Sequence, residues 1–262
     1  MNLSPDTALA ALQDSSTPQD AVDTQLEAFG LCKSYNNKVA VNGIHMAIKR
    51  GEAVGLLGPN GAGKTSTFYL LAGLLKPDAG RIVLDGIDVT QQPTYMRARH
   101  GLAYLPQEMS IFRGLNVADN ILAVLEVFEP KPEKRKARLQ ELLEQFRLEH
   151  VARTPALSLS GGERRKLEIA RLMAGRPRYV LMDEPLAGID PLAIDEIKRR
   201  ISSLCAEGIG VCITDHNVRD TLKMVQRAYI VHDGSILREG TPEEIAEDAD
   251  VRRVYLGDQF TL

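Results

Sequence analysis

The sequence predicts an α/β fold: a mainly parallel sheet with helices on both faces, an antiparallel β subdomain near its start and a helical subdomain in its middle. Three observations carry this expectation. Strand-like and helix-like segments alternate along most of the 262 residues, the pattern of a parallel sheet with helical crossovers. The stretch GPNGAGKT (58–65) sits between an apolar strand and a helix, the setting of a phosphate-binding loop. A second apolar strand, YVLMD, runs straight into Glu184 and Pro185, and the proline ends it.

In chain order, residues 1–25 are rich in Ala, Ser, Thr, Asp and Gln without periodicity, and read as a disordered, mildly acidic tail. LEAFGLCKSY (26–35) and VAVNGIHMAI (39–48) suit a small antiparallel sheet. EAVGLLG (52–58) reads as a buried strand, followed by the glycine-rich loop and a helix over 64–75, and RIVLDG (81–86) as a further short strand. Residues 90–155 look mostly helical, carried by VADNILAVLEVF (117–128) and EKRKARLQELLEQF (133–146). A helix beginning at Glu163, the strand RYVLMD (178–183) and a helix over 191–205 come next. The strand GVCITD (210–215) and the helix NVRDTLKMV (217–225) follow. AYIVHDGSILRE (228–239) is a hairpin whose Asp233-Gly234 pair favours a type I′ turn. In TPEEIAED (241–248), Thr241 as N-cap, Pro242 at N1 and Glu244 form a capping box. No internal repeat is present, so residues 26–262 are expected to form one domain, with the helical subdomain over roughly 108–176.

Composition excludes several classes. With 44% hydrophobic and 26% charged residues the chain reads as globular. A net charge of -3 argues against a nucleic-acid partner held by phosphate neutralisation. The basic run KPEKRKARL (131–139) is interrupted by Glu133 and fits a solvated helix face. Cys32, Cys205 and Cys212 have no metal-ligand spacing, and an odd count suits a reduced cytosolic compartment. The longest apolar run, FYLLAGLL (68–75), falls far short of the ~18 residues of a membrane span. The first Lys or Arg is Lys33, so no basic leader is expected. A link to a membrane is therefore expected through a partner.

Gly58, Pro59, Asn60, Gly61, Ala62, Gly63, Lys64 and Thr65 fit G-x-x-x-x-G-K-[ST]. The glycines let successive backbone N–H groups close around phosphates, Lys64 reaches the β- and γ-phosphates, and the Thr65 hydroxyl ligates Mg²⁺. Ser66 continues the loop into its helix. Consecutive side chains of a strand point to opposite faces, so Asp183 and Glu184 take different tasks. The simplest assignment gives Asp183 to Mg²⁺ and Glu184 to an attacking water. The Asn-Lys-x-Asp motif that reads guanine is missing, which points to ATP. A second anion-type nest lies at LSGGE (159–163), where Ser160, Gly161 and Gly162 open a helix. Ser160 with Glu163 fits a plain capping box equally well.

With these motifs in order, the chain resembles the ATP-binding cassette (ABC) family over roughly residues 26–260. The resemblance implies a P-loop NTPase fold of the RecA-like type, ATP hydrolysis with Mg²⁺, and a homodimer with two ATP sites at its interface. It implies that Tyr35 stacks on adenine and that Gln107, in YLPQE, links the metal and the water to the membrane partner. Ser160, Gly161 and Gly162 are implied to serve the nucleotide of the second subunit. Asp190, in LAGIDP, is implied to cross the interface, although Asp190-Pro191 also suits an N-cap and N1 pair. His216, in ITDHN, is implied to contact the γ-phosphate. Residues 107–115 are implied to receive a short helix of an integral membrane subunit. Phe112 would line that groove, while Ile111 and Leu115 suit either the groove or the subdomain core.

Within the family, TDHNVRDTL, DEPLAGIDP and VRRVYLGDQF are most similar to the lipopolysaccharide-export ATPases, which sit on the cytoplasmic face of the inner membrane. Ser66 and Leu186 depart from the usual residues of that group. Branched-chain amino-acid importer ATPases and the soluble ATPase of iron–sulfur cluster assembly are the alternatives.

Overall fold

A computed structural model describes residues 24–36, 38–187, 191–257 and 259–262. Of the expected tail only Thr24 and Gln25 are described, and Gln25 already opens the first strand. Strands β1 (Gln25–Tyr35) and β2 (Lys38–Lys49) pair antiparallel, with Leu26 opposite Ile48 and Ala28 opposite Met46. These four side chains are buried, so one face of the ribbon packs inward.

Strand β3 (Ala53–Leu57) is buried throughout and leads through the glycine-rich loop into α1 (Lys64–Ala72). Gly73 closes α1 three residues earlier than the sequence suggests. β4 (Ala79–Leu84) and β5 (Ile87–Asp88) complete an antiparallel sheet of order β2-β1-β4-β5.

Next come α2 (Thr94–Arg99) and β6 (Leu102–Leu105). The strand lies in the region expected to be mostly helical. LAYL is a four-residue apolar run between Gly101 and Pro106, too short for periodicity to type. Arg97 of α2 is 1% exposed. Its guanidinium donates to the carbonyls of Leu70, Leu71, Thr90 and Gln92, two of which are C-terminal carbonyls of α1. Burial pushes its pKa down to about 10, so it stays charged at neutral pH and locks the rear end of the phosphate-loop helix.

The helical subdomain holds α3 (Val117–Phe128), α4 (Pro132–Phe146) and α5 (Gly161–Ala174). α5 starts two residues before Glu163, with Ser160 as N-cap. β7 (Tyr179–Asp183), α6 (Pro191–Ala206), β8 (Gly210–Thr214) and the short α7 (Val218–Leu222) follow. β9 (Arg227–His232) and β10 (Ser235–Gly240) form the expected hairpin, with Asp233 at φ 46 and Gly234 at φ 79 as a type I′ turn demands. α8 (Pro242–Glu247) carries the expected Thr241–Glu244 capping box.

The main sheet runs β10-β9-β3-β8-β7-β6, parallel except for the β9–β10 hairpin. Alternation along its strands divides the interior into two cores. Ala53, Leu57, Val180, Met182, Val211 and Ile213 face the side covered by the helical subdomain and α6. Val54, Leu56, Tyr179, Leu181 and Cys212 face α1 and the antiparallel sheet. Asp183 and Thr214, the next residues in phase with Leu181 and Cys212, leave their strands on the α1 side.

Candidate active site

The cleft at the C-terminal ends of β3, β7 and β8 has a volume of about 340 Å³. Open α/β sheets bind ligands at this edge. Tyr35, Asn60, Gly61, Gly63, Lys64, Thr65, Ser66, Asp183, Glu184 and His216 line it, together with Lys38 and Thr214. The structure therefore brings these residues, distant in the sequence, to one cleft.

Gly63 is the N-cap of α1 with φ 110; no side chain caps the helix and no acid occupies its first turn. Its free N–H groups are left for an anion. Lys64 Nζ donates to the carbonyls of Gly58 (2.7 Å) and Pro59 (3.0 Å), which hold the ammonium against the loop. Burial pulls its pKa down, while Glu184 and Asp183 pull the other way. Gly58, Pro59 and Ala62 shape the loop from behind rather than line the cleft, and the carbonyl of Ala62 accepts from the Gly234 amide at 2.9 Å.

Asp183 is 3% exposed and its pKa is raised, chiefly by burial. The Tyr104 hydroxyl, which donates to its Oδ2 at 3.1 Å, and Lys64 oppose that shift. Tyr104 was not singled out in the sequence. The available signal was a phenol on a short buried strand, since a half-buried tyrosine hydroxyl must find a partner. Glu184 has φ 48, left-handed backbone at a non-glycine residue, and its N–H donates to the Thr214 carbonyl at 2.7 Å. That turn swings the side chain off the strand so that it faces the same cleft as Asp183. Gln107 Nε2 donates to Glu184 Oε2 at 2.6 Å, and His216 Nε2 lies 2.6 Å from Glu184 Oε1. Gln107 thus reaches the site through Glu184 and does not itself line the cleft.

Among the described residues no three His, Cys, Asp or Glu side chains gather as a metal site. The Thr65 hydroxyl and the Asp183 carboxylate are hard oxygen donors, which suit Mg²⁺ completed by water and phosphate.

Ser160, Gly161 and Gly162 do not line this cleft. Ser160 caps α5 in a full capping box, its hydroxyl 2.6 Å from Glu163 Oε2. Asp190 lies outside the described residues. Ile111 is 6% exposed and belongs to the subdomain core, so the groove reading fails for it. Leu115 is half-buried, and Phe112 is 45% exposed under the Arg171 guanidinium at 4.3 Å.

The sequence profile of the family described as ABC transporter matches residues 41–187. The chain belongs to the ABC transporter family. It is an ATP-hydrolysing subunit with the P-loop fold of that family's cassettes. A profile for branched-chain amino-acid ATP-binding cassette transporters matches residues 239–261. The lipopolysaccharide export system ATP-binding protein LptB of Acidithiobacillus ferridurans is 54% identical, over 90% of this chain and 98% of that protein. LptB of Escherichia coli is 50% identical over 90% of this chain and 99% of its own length. Among solved structures, an ATP-binding cassette of an ABC transporter in its ADP conformation superposes with a TM-score of 0.79 at 25% identity, covering 89% of this chain and 98% of that one. Among the described residues of this ABC cassette, no helix is long and apolar enough to cross a membrane.

Proposed function

We propose that two copies of this cassette close on two ATP molecules and drive extraction of lipopolysaccharide from the inner membrane for export to the outer membrane. The identity to LptB proteins over nearly their whole length carries the cargo assignment. The branched-chain profile covers only residues 239–261, which gives the amino-acid importer reading far less support, and nothing favours iron–sulfur cluster assembly.

In this reading Tyr35 stacks on the adenine, and the backbone of residues 58–63 with Lys64 holds the phosphates. Thr65, Asp183 and Gln107 would hold Mg²⁺, which would neutralise charge on the phosphate oxygens. Glu184 accepts the proton of the attacking water, and His216 steadies both Glu184 and the γ-phosphate. One face of the triphosphate is left for donors from elsewhere. Ser160, Gly161 and Gly162 of the second copy supply them, the Ser160 hydroxyl exchanging Glu163 for phosphate. Their place outside the cleft of their own chain is the observation behind the dimer. Asp190 then lies at the interface, and residues 26–262 act as one domain with a helical subdomain over roughly 108–176.

Mixing two inactive variants tests the shared site. Lys64→Ala and Ser160→Arg chains combine into mixed dimers with one site intact in both halves. ATP turnover is therefore expected to reappear on mixing; silence at every ratio rules the shared site out.

The cassette docks on integral membrane subunits through residues 107–115, at the cytoplasmic face of the inner membrane. Phe112 is the exposed aromatic of that segment. Phe112→Asp is expected to abolish co-purification with the membrane subunits in detergent. Unchanged recovery of the complex defeats the docking assignment. Affinity purification from inner membranes, with identification of the co-purified chains and of accumulated lipopolysaccharide on depletion, tests the cargo.

A further inference from the structure

Thr214 ends β8 and is 2% exposed, yet its Oγ1 has no hydrogen-bond partner. Among the described residues Thr214 is the only one with such an orphaned buried atom that also lines the nucleotide cleft. A buried hydroxyl without a partner is unfavourable, whereas valine has the same shape and no such demand. The rest of its strand, GVCI, is apolar or glycine. A threonine at this position therefore asks what its hydroxyl serves.

The register answers where it stands. Thr214 pairs with Asp183 across β8 and β7, and both side chains leave on the α1 side of the sheet. The Thr214 carbonyl accepts the Glu184 amide at 2.7 Å, which ties the two residues rigidly. Thr214 is thus held level with Asp183, in a cleft that the Glu184 carboxylate also lines. Phosphate oxygens are repelled from such a place, and Lys64 and the loop amides already serve them. A water molecule is welcome there, because it offers two O–H donors to acceptors. Glu184 Oε2 already accepts a hydrogen bond from Gln107 at 2.6 Å, and its Oε1 lies 2.6 Å from His216 Nε2. One contact to that carboxylate leaves a water free to rotate.

We propose that the Thr214 hydroxyl is the second anchor of the water that Glu184 activates, a positioning role that rests on the reading of Glu184 given above. One hydrogen of the water points to Glu184 and the other to the Thr214 Oγ1 lone pair, which leaves an oxygen lone pair for phosphorus. On attack the new P–O bond forms, the bond to the ADP leaving oxygen breaks, and Glu184 takes the first proton. Thr214 gains and loses none.

Thr214→Val is expected to lower kcat about 10–100-fold, with KM and the affinity for a non-hydrolysable ATP analogue within twofold and Tm unchanged or raised. Thr214→Ser is expected to restore most of the rate. In a Glu184→Gln background the valine change should add far less than it does alone, since both act on one water. Wild-type kcat in Thr214→Val overturns the proposal, as does a loss of Tm and nucleotide affinity that serine does not repair. If valine does not fold, Thr214→Ala carries the same expectation for kcat against KM. Near-normal turnover in Glu184→Gln alone instead brings down the underlying assignment of the base, so the two failures are distinct.

Discussion

Replacing Glu184 by glutamine is expected to lower ATP turnover by about 10²–10⁴-fold, the range a general base contributes. That corresponds to roughly 3–5 kcal/mol of transition-state stabilisation. The amide keeps the shape of the carboxylate, so hydrogen bonds to Gln107 and Thr214 can persist through its oxygen and backbone. Nucleotide binding should survive, and ATP-bound dimers should accumulate, because in the proposed dimer the γ-phosphate between the two copies is no longer removed. Steady-state ATPase assays beside light scattering with ATP and with ADP measure both halves. Turnover near that of the parent chain refutes the role given to Glu184.

Gly63→Ala should abolish nucleotide binding. A Cβ at this position would stand 2.3 Å from the Ala40 carbonyl oxygen of β2, far inside van der Waals contact, on a backbone with φ 110. Ala40 O is backbone and not a flexible side-chain tip, so the loop and β2 must move apart and the first amides of α1 lose their aim. Gly61→Ala is the control. Its φ of 78 is also unfavourable for alanine, but a Cβ there meets nothing within 4 Å. A cost of about 1–2 kcal/mol and weakened binding are expected for Gly61, against at least a hundredfold loss of ATP affinity for Gly63. Titration with a fluorescent ATP analogue and thermal melts separate the two. Parent-like affinity in Gly63→Ala contradicts this account of the loop.

The phosphate loop, the acid pair and the Ser160 cap were legible because each is written in adjacent residues. The type I′ hairpin at Asp233-Gly234 and the Thr241 capping box were legible for the same reason. Features built by strand pairing were not. Tyr104 meets Asp183 from 79 positions away, through β6, a strand too short for its apolar run to declare itself. Thr214 matters only because β8 sets it level with Asp183. Ile111 and Phe112 are neighbours of similar hydrophobicity, and only packing sends one into the core and leaves the other in solvent. The left-handed turn at Glu184 had no local herald either, since glutamate is an unusual occupant of that region.

That turn bears on how variants of this cassette should be sorted. A torsion of 48° burdens the native state at the residue proposed to take the proton from water, and glycine would relax it by about 1 kcal/mol. Heat-resistance screening therefore rewards the removal of this side chain. A library ranked by melting temperature alone would collect robust proteins that no longer run the pump.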